Sequence, residues 1–285
     1  MQPASEDSQR PLADEASPQS AAESFQAQPK PALAAVILTY NEADHVVNCI
    51  DSLRWADPIV VFDSHSTDDT VDLAREAGAV IARAKFENYA QQRNAALDFL
   101  AMEGGFDGWV FFVDADERGS DDLGAEIWRV IETRSEAGWY VPRHNFIFGR
   151  LTTGAGWYPD YQLRLLKHGL ARYERPVHEV AIVDGEVGYL QNPLVHYNYD
   201  TPEQFHAKQR KYTDYDAGIL KHQGIKPKFY TPYTQALRQF WWRFTTLGGY
   251  HDGLHGLRLS AYLAYYEWLK YRRLAALSRA TQVNA

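Results

Sequence analysis

The feature that most constrains the fold is a rhythm in the first third of the chain. Four short apolar runs, "LAAVILTYNE" (33–42), "PIVVFDSHS" (58–66), "AVIARA" (79–84) and "GWVFFVDADE" (108–117), are each separated by one helix-length segment. A continuous apolar run of that length predicts a strand buried on both faces, as in a parallel sheet. Between the runs, Val46, Val47, Ile50 and Leu53 recur at helical spacing. "STDDTVDLAREAGA" places Ser and Thr at a helix start, acids in the first turn and Gly78 at the end. "NYAQQRNAALDFLAM" predicts a third helix. Strands alternating with single helices build βαβ units with right-handed crossovers. The expected class is therefore α/β, and ligands in such sheets bind beyond the C-terminal strand ends. The polar clusters at 39–42, 63–68 and 114–117 all fall at those ends.

The pattern changes downstream. After a helical "DDLGAEIWRVIETRS", strand-like stretches at 138–149, 161–169, 180–190 and 193–199 are broken by Gly or Pro. From about 202 the chain reads as helical and rich in Tyr, Trp, Lys and Arg. Residues 1–30 hold Ala, Ser, Gln, Pro and acids with almost nothing large and apolar, which predicts a disordered tail. The expected organisation is a tail at 1–30, a catalytic α/β domain at 31–200 and a helical extension at 201–285.

Bulk properties exclude some functions. A net charge of -8 argues against a nucleic-acid partner, whose affinity rests on neutralising phosphates. The single Cys49 excludes an internal disulfide and a cysteine zinc cluster. The start lacks a basic segment followed by an apolar run, and no apolar stretch reaches the roughly 18–20 residues of a spanning helix. A cytoplasmic catalytic part is expected.

Three carboxylates within four residues, Asp114, Asp116 and Glu117, end the fourth run. Like charges that close repel and resist desolvation, so either water or a cation must meet them. Asp-x-Asp is common by chance, but at a strand end it can hold one hard divalent ion. Mg2+ takes few carboxylates and completes its shell from phosphate and water, and Mn2+ suits similar ligands. Such an ion fits a diphosphate substrate. Asp63, at the end of the second run, reads as a helix cap or as an acceptor for a nucleobase or ribose. Thr39, Tyr40, Asn41 and Glu42 line a base pocket or cap the next helix. Gln91, Arg93 and Asn94 lie near the start or middle of a helix, where Arg93 is a solvated cation or reaches nucleotide.

Taken in order, "ILTYNE", "VVFDSHSTDDT", "YAQQRNAAL" and "VFFVDADE" resemble the family 2 glycosyltransferases, whose GT-A fold is a Rossmann-like nucleotide-diphospho-sugar-binding mixed sheet. "GWYPDYQLRLL", "ERPVHEVAIVDGEVGYLQNPLVHYNY" and "DGLHGLRLSAYLAYYEWLKY" look like the bacterial branch with lipopolysaccharide-core β-glucosyltransferases. The resemblance covers about residues 32–275. It implies that Asp63 binds the base, usually uracil, with Tyr40, Asn41 and Glu42 near it. Asp114 would face ribose or help with the metal, Asp116 would be the direct ligand of Mg2+ or Mn2+, and His196 would be a third ligand or a structural histidine. An inverting member also needs a carboxylate base. The family's common form, a Glu-Asp pair, does not stand downstream of the acidic strand end. Asp160 and Glu179, the latter beside His178, are the candidates, with Glu179 favoured. Arg164 would contact diphosphate or structure its loop.

The resemblance thus implies a metal-dependent inverting transferase. It would move a hexose, most simply glucose from UDP-glucose, to a lipopolysaccharide-core or related glycan or glycolipid acceptor. A nucleotidyltransferase would share the sheet and the acidic site, but "TYNE" stands where its Gly-rich phosphate loop would be. A non-catalytic nucleotide-sugar-binding module would need Asp63 but neither Asp116 nor Glu179. The aromatic and basic C-terminal segment either caps the core or lies as amphipathic helices on the cytoplasmic face of the inner membrane.

Overall fold

β1 (Ala32–Thr39) is buried from Leu33 to Ile37, as its unbroken apolar run requires. The computed structural model describes residues 31–102, 105–175 and 179–283, so the tail expected at 1–30 and the candidate His178 lie outside the described residues. After β1 come α1 (Val46–Asp51), β2 (Ile59–Asp63), α2 (Thr70–Glu76), β3 (Val80–Arg83), α3 (Tyr89–Met102) and β4 (Gly108–Asp114). The four strands are parallel, in the order β3-β2-β1-β4. The chain thus builds outward to β3 and then returns to the other side of β1, which makes the β1/β4 edge a switch point. Register sets the site: Thr39 lies opposite Asp63, and Leu38 opposite Asp114.

The fourth run stops earlier than its sequence suggests. Its strand ends at Asp114, Ala115-Asp116 make a turn, and Glu117 opens β5 (Glu117–Gly119). The reason is pairing: Glu117 lies antiparallel to His196 on a later strand. α4 (Asp121–Thr133) follows, capped by the Ser120 hydroxyl, which accepts from the Leu123 N–H at 3.2 Å.

The remaining strands are β6 (Gly138–Ile147), β7 (Arg150–Thr152), β8 (Asp160–Lys167), β9 (Ala171–Glu174), β10 (Val180–Val183), β11 (Val187–Tyr189) and β12 (Leu194–Tyr199). The sheet continues past β4 as β8-β6-β12-β5, with β8 antiparallel to both of its neighbours. The strand-like stretch 180–190 divides in two: β10 pairs with β9 in a separate two-stranded sheet, and β11 joins β6 in parallel. Gly185 between them has φ +141°, and a Cβ there would meet the Ala137 Cβ at 2.8 Å. Only glycine allows that break.

Successive side chains of β4 serve opposite faces. Phe111 packs with Ile50, Leu53, Leu123 and Ile127 of the α1, α2 and α4 layer. Phe112 packs with Leu97 and Tyr173 on the α3 face. The α/β expectation, a mixed sheet flanked by helices with an aromatic helical C-terminal region, is met. That region comprises α5 (Pro202–His222), α6 (Thr231–Trp241), a π-helical turn (Trp242–Thr246), a 3-10 turn (Gly249–Asp252) and α7 (Gly253–Val283). It shares a third core with the sheet, built from Ile147, Tyr199, Phe205, Leu259 and Tyr266. One compact unit runs from Pro31 to Ala285. Among the described residues no helix is long and apolar enough to cross a membrane.

Candidate active site

Two loops meet at the strand ends. The Asn41 N–H donates to the Ser66 hydroxyl at 2.8 Å, and the Asn41 side-chain oxygen Oδ1 accepts from the Thr67 N–H at 2.8 Å. Asn41 has φ +57°, a left-handed conformation that Asn tolerates better than most residues. The Glu42 N–H donates to Thr70 and the Ala43 N–H to Asp68. Asp63 is the fully buried centre of this clasp. One of its oxygens accepts from the Thr39 hydroxyl at 3.1 Å and the Ser66 hydroxyl at 2.5 Å. The other accepts from the Ser66 N–H at 2.9 Å and Arg83 Nε at 3.3 Å. Both oxygens are occupied within the protein, so Asp63 shapes the pocket wall in this conformation. Tyr40 stands exposed beside it.

Of Gln91 and Gln92, the buried glutamine is Gln92, which the sequence did not single out. Gln91 is exposed and bonds reciprocally with Asn88 at the start of α3. Gln92 is buried and donates to the Ser64 hydroxyl at 2.8 Å. Asn94 does not reach the strand ends; it pins β9, donating to the Tyr173 carbonyl and accepting from the Tyr173 N–H. Arg93 is no solvated cation but is buried between the Phe112 and Tyr173 rings, 5.3 and 5.4 Å from their centroids. Its guanidinium spans Asp114 Oδ1 at 3.3 Å and Glu179 Oε1 at 3.6 Å.

Behind the acidic turn lies an ionic network. Arg164 reaches Asp114 at 2.5 Å and Glu117 at 2.8 Å, and Arg143 reaches Glu117 at 3.1 Å and Asp160 at 2.5 Å. Glu117 is fully buried and also accepts from the Asp114 N–H at 2.9 Å. It is the hub that fixes the turn. Arg164 ties Asp114 to Glu117 while also lining the cleft beside Glu179. Desolvation at this crowded strand end would raise the Asp114 pKa, but the Arg164 and Arg93 charges outweigh it and hold the carboxyl far below its ordinary range.

The trio expected at a metal divides accordingly. Asp114 is turned to arginines, whereas Asp116 Oδ2 lies 3.4 Å from His196 Nε2. His196 is oriented from behind. The Asn145 side chain donates to the Trp157 carbonyl and to Asp160, so its oxygen faces His196 and accepts from Nδ1 at 2.8 Å. With Nδ1 so engaged, Nε2 is the ring nitrogen that faces the Asp116 carboxylate. A carboxylate oxygen and an imidazole nitrogen this close could share a cation between them. Two ligands at right angles on an ion with bonds of 2.0–2.1 Å would stand about 3 Å apart. The donor set, one carboxylate and one buttressed imidazole, would suit Mn2+, and Mg2+ would take the Asp116 oxygen alone. Among the described residues no three His, Cys, Asp or Glu side chains group to cage an ion, so a diphosphate and water would complete its shell.

Of the two candidate bases, Asp160 is neutralised. Arg143 donates to it twice, at 2.9 and 2.5 Å, and Asn145 and Gln162 donate at 3.2 and 2.9 Å. Burial alone would raise its pKa, but Arg143 and the hydrogen bonds lower it. Glu179 instead lines a cleft of about 180 Å3 with Arg93, Arg164, Tyr161 and Tyr173. Arg93 Nη1, Arg164 Nε and the Tyr173 hydroxyl are buried and have no hydrogen-bond partner among the described residues. Unmet buried donors cost free energy, so the cleft suits a ligand rich in acceptors. Glu42 is pushed up to about 7, first by burial, then by Asp116, with Asp114 and Asp68 adding to it against Lys208.

Sequence comparison specifies what such a site serves. The family model described as glycosyl transferase family 2 matches residues 34–186, more than half of the chain. The lipopolysaccharide core biosynthesis glycosyltransferase LpsC of Rhizobium meliloti is 31% identical over 246 residues, covering 80% of this chain and 88% of LpsC. The SPbeta prophage-derived glycosyltransferase SunS of Bacillus subtilis is 25% identical, covering 74% of this chain and 50% of SunS. Among solved structures, glucosyl-3-phosphoglycerate synthase from Mycobacterium tuberculosis, crystallised with Mn2+, UDP and phosphoglyceric acid, superposes with a TM-score of 0.43. Its identity is 16%, and the match covers 70% of this chain and 80% of that one. The protein is a glycosyltransferase. More narrowly, the chain belongs to glycosyltransferase family 2.

Proposed function

We propose that this enzyme is a metal-dependent inverting hexosyltransferase. It would take a hexose from a nucleoside-diphospho-sugar, most simply glucose from UDP-glucose, and pass it to a lipopolysaccharide-core or related glycan acceptor. The observation that carries this reading is the pairing of Asp116 with His196 at the turn that follows Asp114, which Arg93 bridges to Glu179 in a donor-lined cleft. Tyr40 and Asn41 form the wall of the base pocket, and Asp63 keeps that wall in place. Asp116 would hold Mn2+ together with His196, or Mg2+ without it, and the ion when bound offsets the charge of the departing diphosphate. Arg93 and the Tyr173 hydroxyl orient the hexose. Glu179 takes the proton of the acceptor hydroxyl as that oxygen bonds to the anomeric carbon. The bond to the diphosphate breaks on the opposite face, its electron pair leaves with the diphosphate, and the anomeric configuration inverts. Asp160, already neutralised, keeps Arg143 and Asn145 in position. Catalysis belongs to residues 31–200. The helical part from 201 serves the acceptor side, where a lipid-linked glycan would bring the enzyme to the cytoplasmic face of the inner membrane.

A panel of nucleotide-sugars tests this. UDP-glucose with Mn2+ should raise the melting temperature and yield UDP on addition of acceptor, and Asp116→Ala should abolish the metal-dependent release. Stabilisation by nucleoside triphosphates alone, or full activity in Asp116→Ala, would overturn it.

A further inference from the structure

Away from the catalytic cleft, the segment between α5 and α6 and the C-terminal half of α7 enclose a hollow of about 740 Å3. Lys221, Lys226, Lys228, Arg272 and Arg279 line it, and no carboxylate does. None of the five forms an ion pair among the described residues, whereas the neighbouring Lys270 and Arg273 are paired with Glu267 and Asp214. Between 201 and 283 the sequence has 13 Lys or Arg against 5 Asp or Glu, in a chain whose net charge is -8. Positive charge is therefore gathered on this region and left unneutralised in the hollow. Like charges so arranged repel, and an anion placed among them relieves that repulsion.

A second observation fixes the kind of anion. Phe229, on the wall of the hollow, begins a line continued at four-residue spacing by Tyr233, Leu237 and Trp241. Their exposures are 89%, 59%, 61% and 55%. A free phosphate or a soluble phosphosugar would have no use for such a line. An apolar, aromatic edge that starts at a cationic hollow matches the boundary between headgroups and acyl chains.

We propose that the hollow and this line form one docking site for an anionic phospholipid surface. Headgroup phosphates enter among the five cations, and Phe229, Tyr233, Leu237 and Trp241 lie at the acyl boundary. This deepens the membrane-borne-acceptor reading above, and lipid binding can be measured apart from turnover.

The test is flotation of the full chain with phosphatidylcholine vesicles, with and without phosphatidylglycerol. Binding should require phosphatidylglycerol and fall with salt. The double variant Lys226→Glu/Arg272→Glu should weaken it by about tenfold or more, and Trp241→Ser should weaken it in its own right. Both variants should bind UDP-glucose as the parent does, which also reports that they fold. Equal binding to neutral vesicles, undiminished binding by the double variant, or selective binding of inorganic pyrophosphate with no vesicle binding would each overturn the proposal. Loss of vesicle binding with UDP release intact would sink only this site. Absent UDP release with vesicle binding intact would sink only the transferase reading.

Discussion

At the residue scale, the same side-chain type takes opposite roles according to what faces it. Asp114, Glu117 and Asp160 each meet an arginine at 2.5–3.1 Å, whereas Asp116 faces His196 and Glu179 meets Arg93 only at 3.6 Å. Glu179→Gln should therefore lower turnover by roughly 10²–10⁴-fold with donor binding retained, as read by single-turnover kinetics and thermal shift. Asp160→Asn should keep most of the turnover but lose about 1–3 kcal/mol of stability in denaturant unfolding, because Arg143 loses one of its two charged partners. Glu42 gives a pH signature. Its folded pKa of about 7 lies above the ordinary glutamate value of about 4.5, so the unfolded chain releases this proton first. Stability falls as pH rises between about 4.5 and 7, and the loss is complete above that window. Glu42→Gln should thus raise the melting temperature in metal-free buffer at pH 8 and have little effect at pH 4.

At the element scale, loops do the positioning and each is tied by a few polar contacts. The turn after β7 is held by Asp252, which accepts from the Thr153 N–H at 3.3 Å, the Thr153 hydroxyl at 3.1 Å and the Gly154 N–H at 2.7 Å. His255 meets Thr152 at 3.0 Å, and Arg243 donates to the Ala155 carbonyl at 2.6 Å. Asp252→Ala strands two backbone donors at this junction. It should cost about 1–3 kcal/mol in thermal unfolding and increase proteolysis at residues 153–156. None of these partners was legible from the sequence, since they lie about 90 to 100 positions apart and follow no periodic pattern. The strand ends were legible because apolar runs stop where water or ligand begins. The burial of Glu117 was not legible for a related reason: nothing near it in sequence shows that the arginines of β6 and β8 are brought behind it.

At the scale of the whole molecule, the aromatic C-terminal helices are part of the folded core. Phe205 is fully buried against Ile147, Tyr199, Leu259 and Tyr266, which come from sheet and helices alike. Phe205→Ala should cost about 3–5 kcal/mol and lower a single calorimetric transition, with the helical region and the sheet melting together. Two separate transitions in the parent would contradict that coupling.

The sequence by itself determined the α/β class, the four parallel strands with polar C-terminal ends, and the presence of an acidic turn among them. Those features are local, because strand burial and helix spacing are written in neighbouring residues. Only the tertiary structure decided which acids remain available. It gave Asp114 and Asp160 to arginines, buried Asp63 inside its own loop, set Asn145 behind His196, and left Glu179 open to the cleft. Charge neutralisation and hydrogen-bond orientation depend on contacts a few ångströms across, between residues far apart in the chain, and no one-dimensional pattern carries those distances.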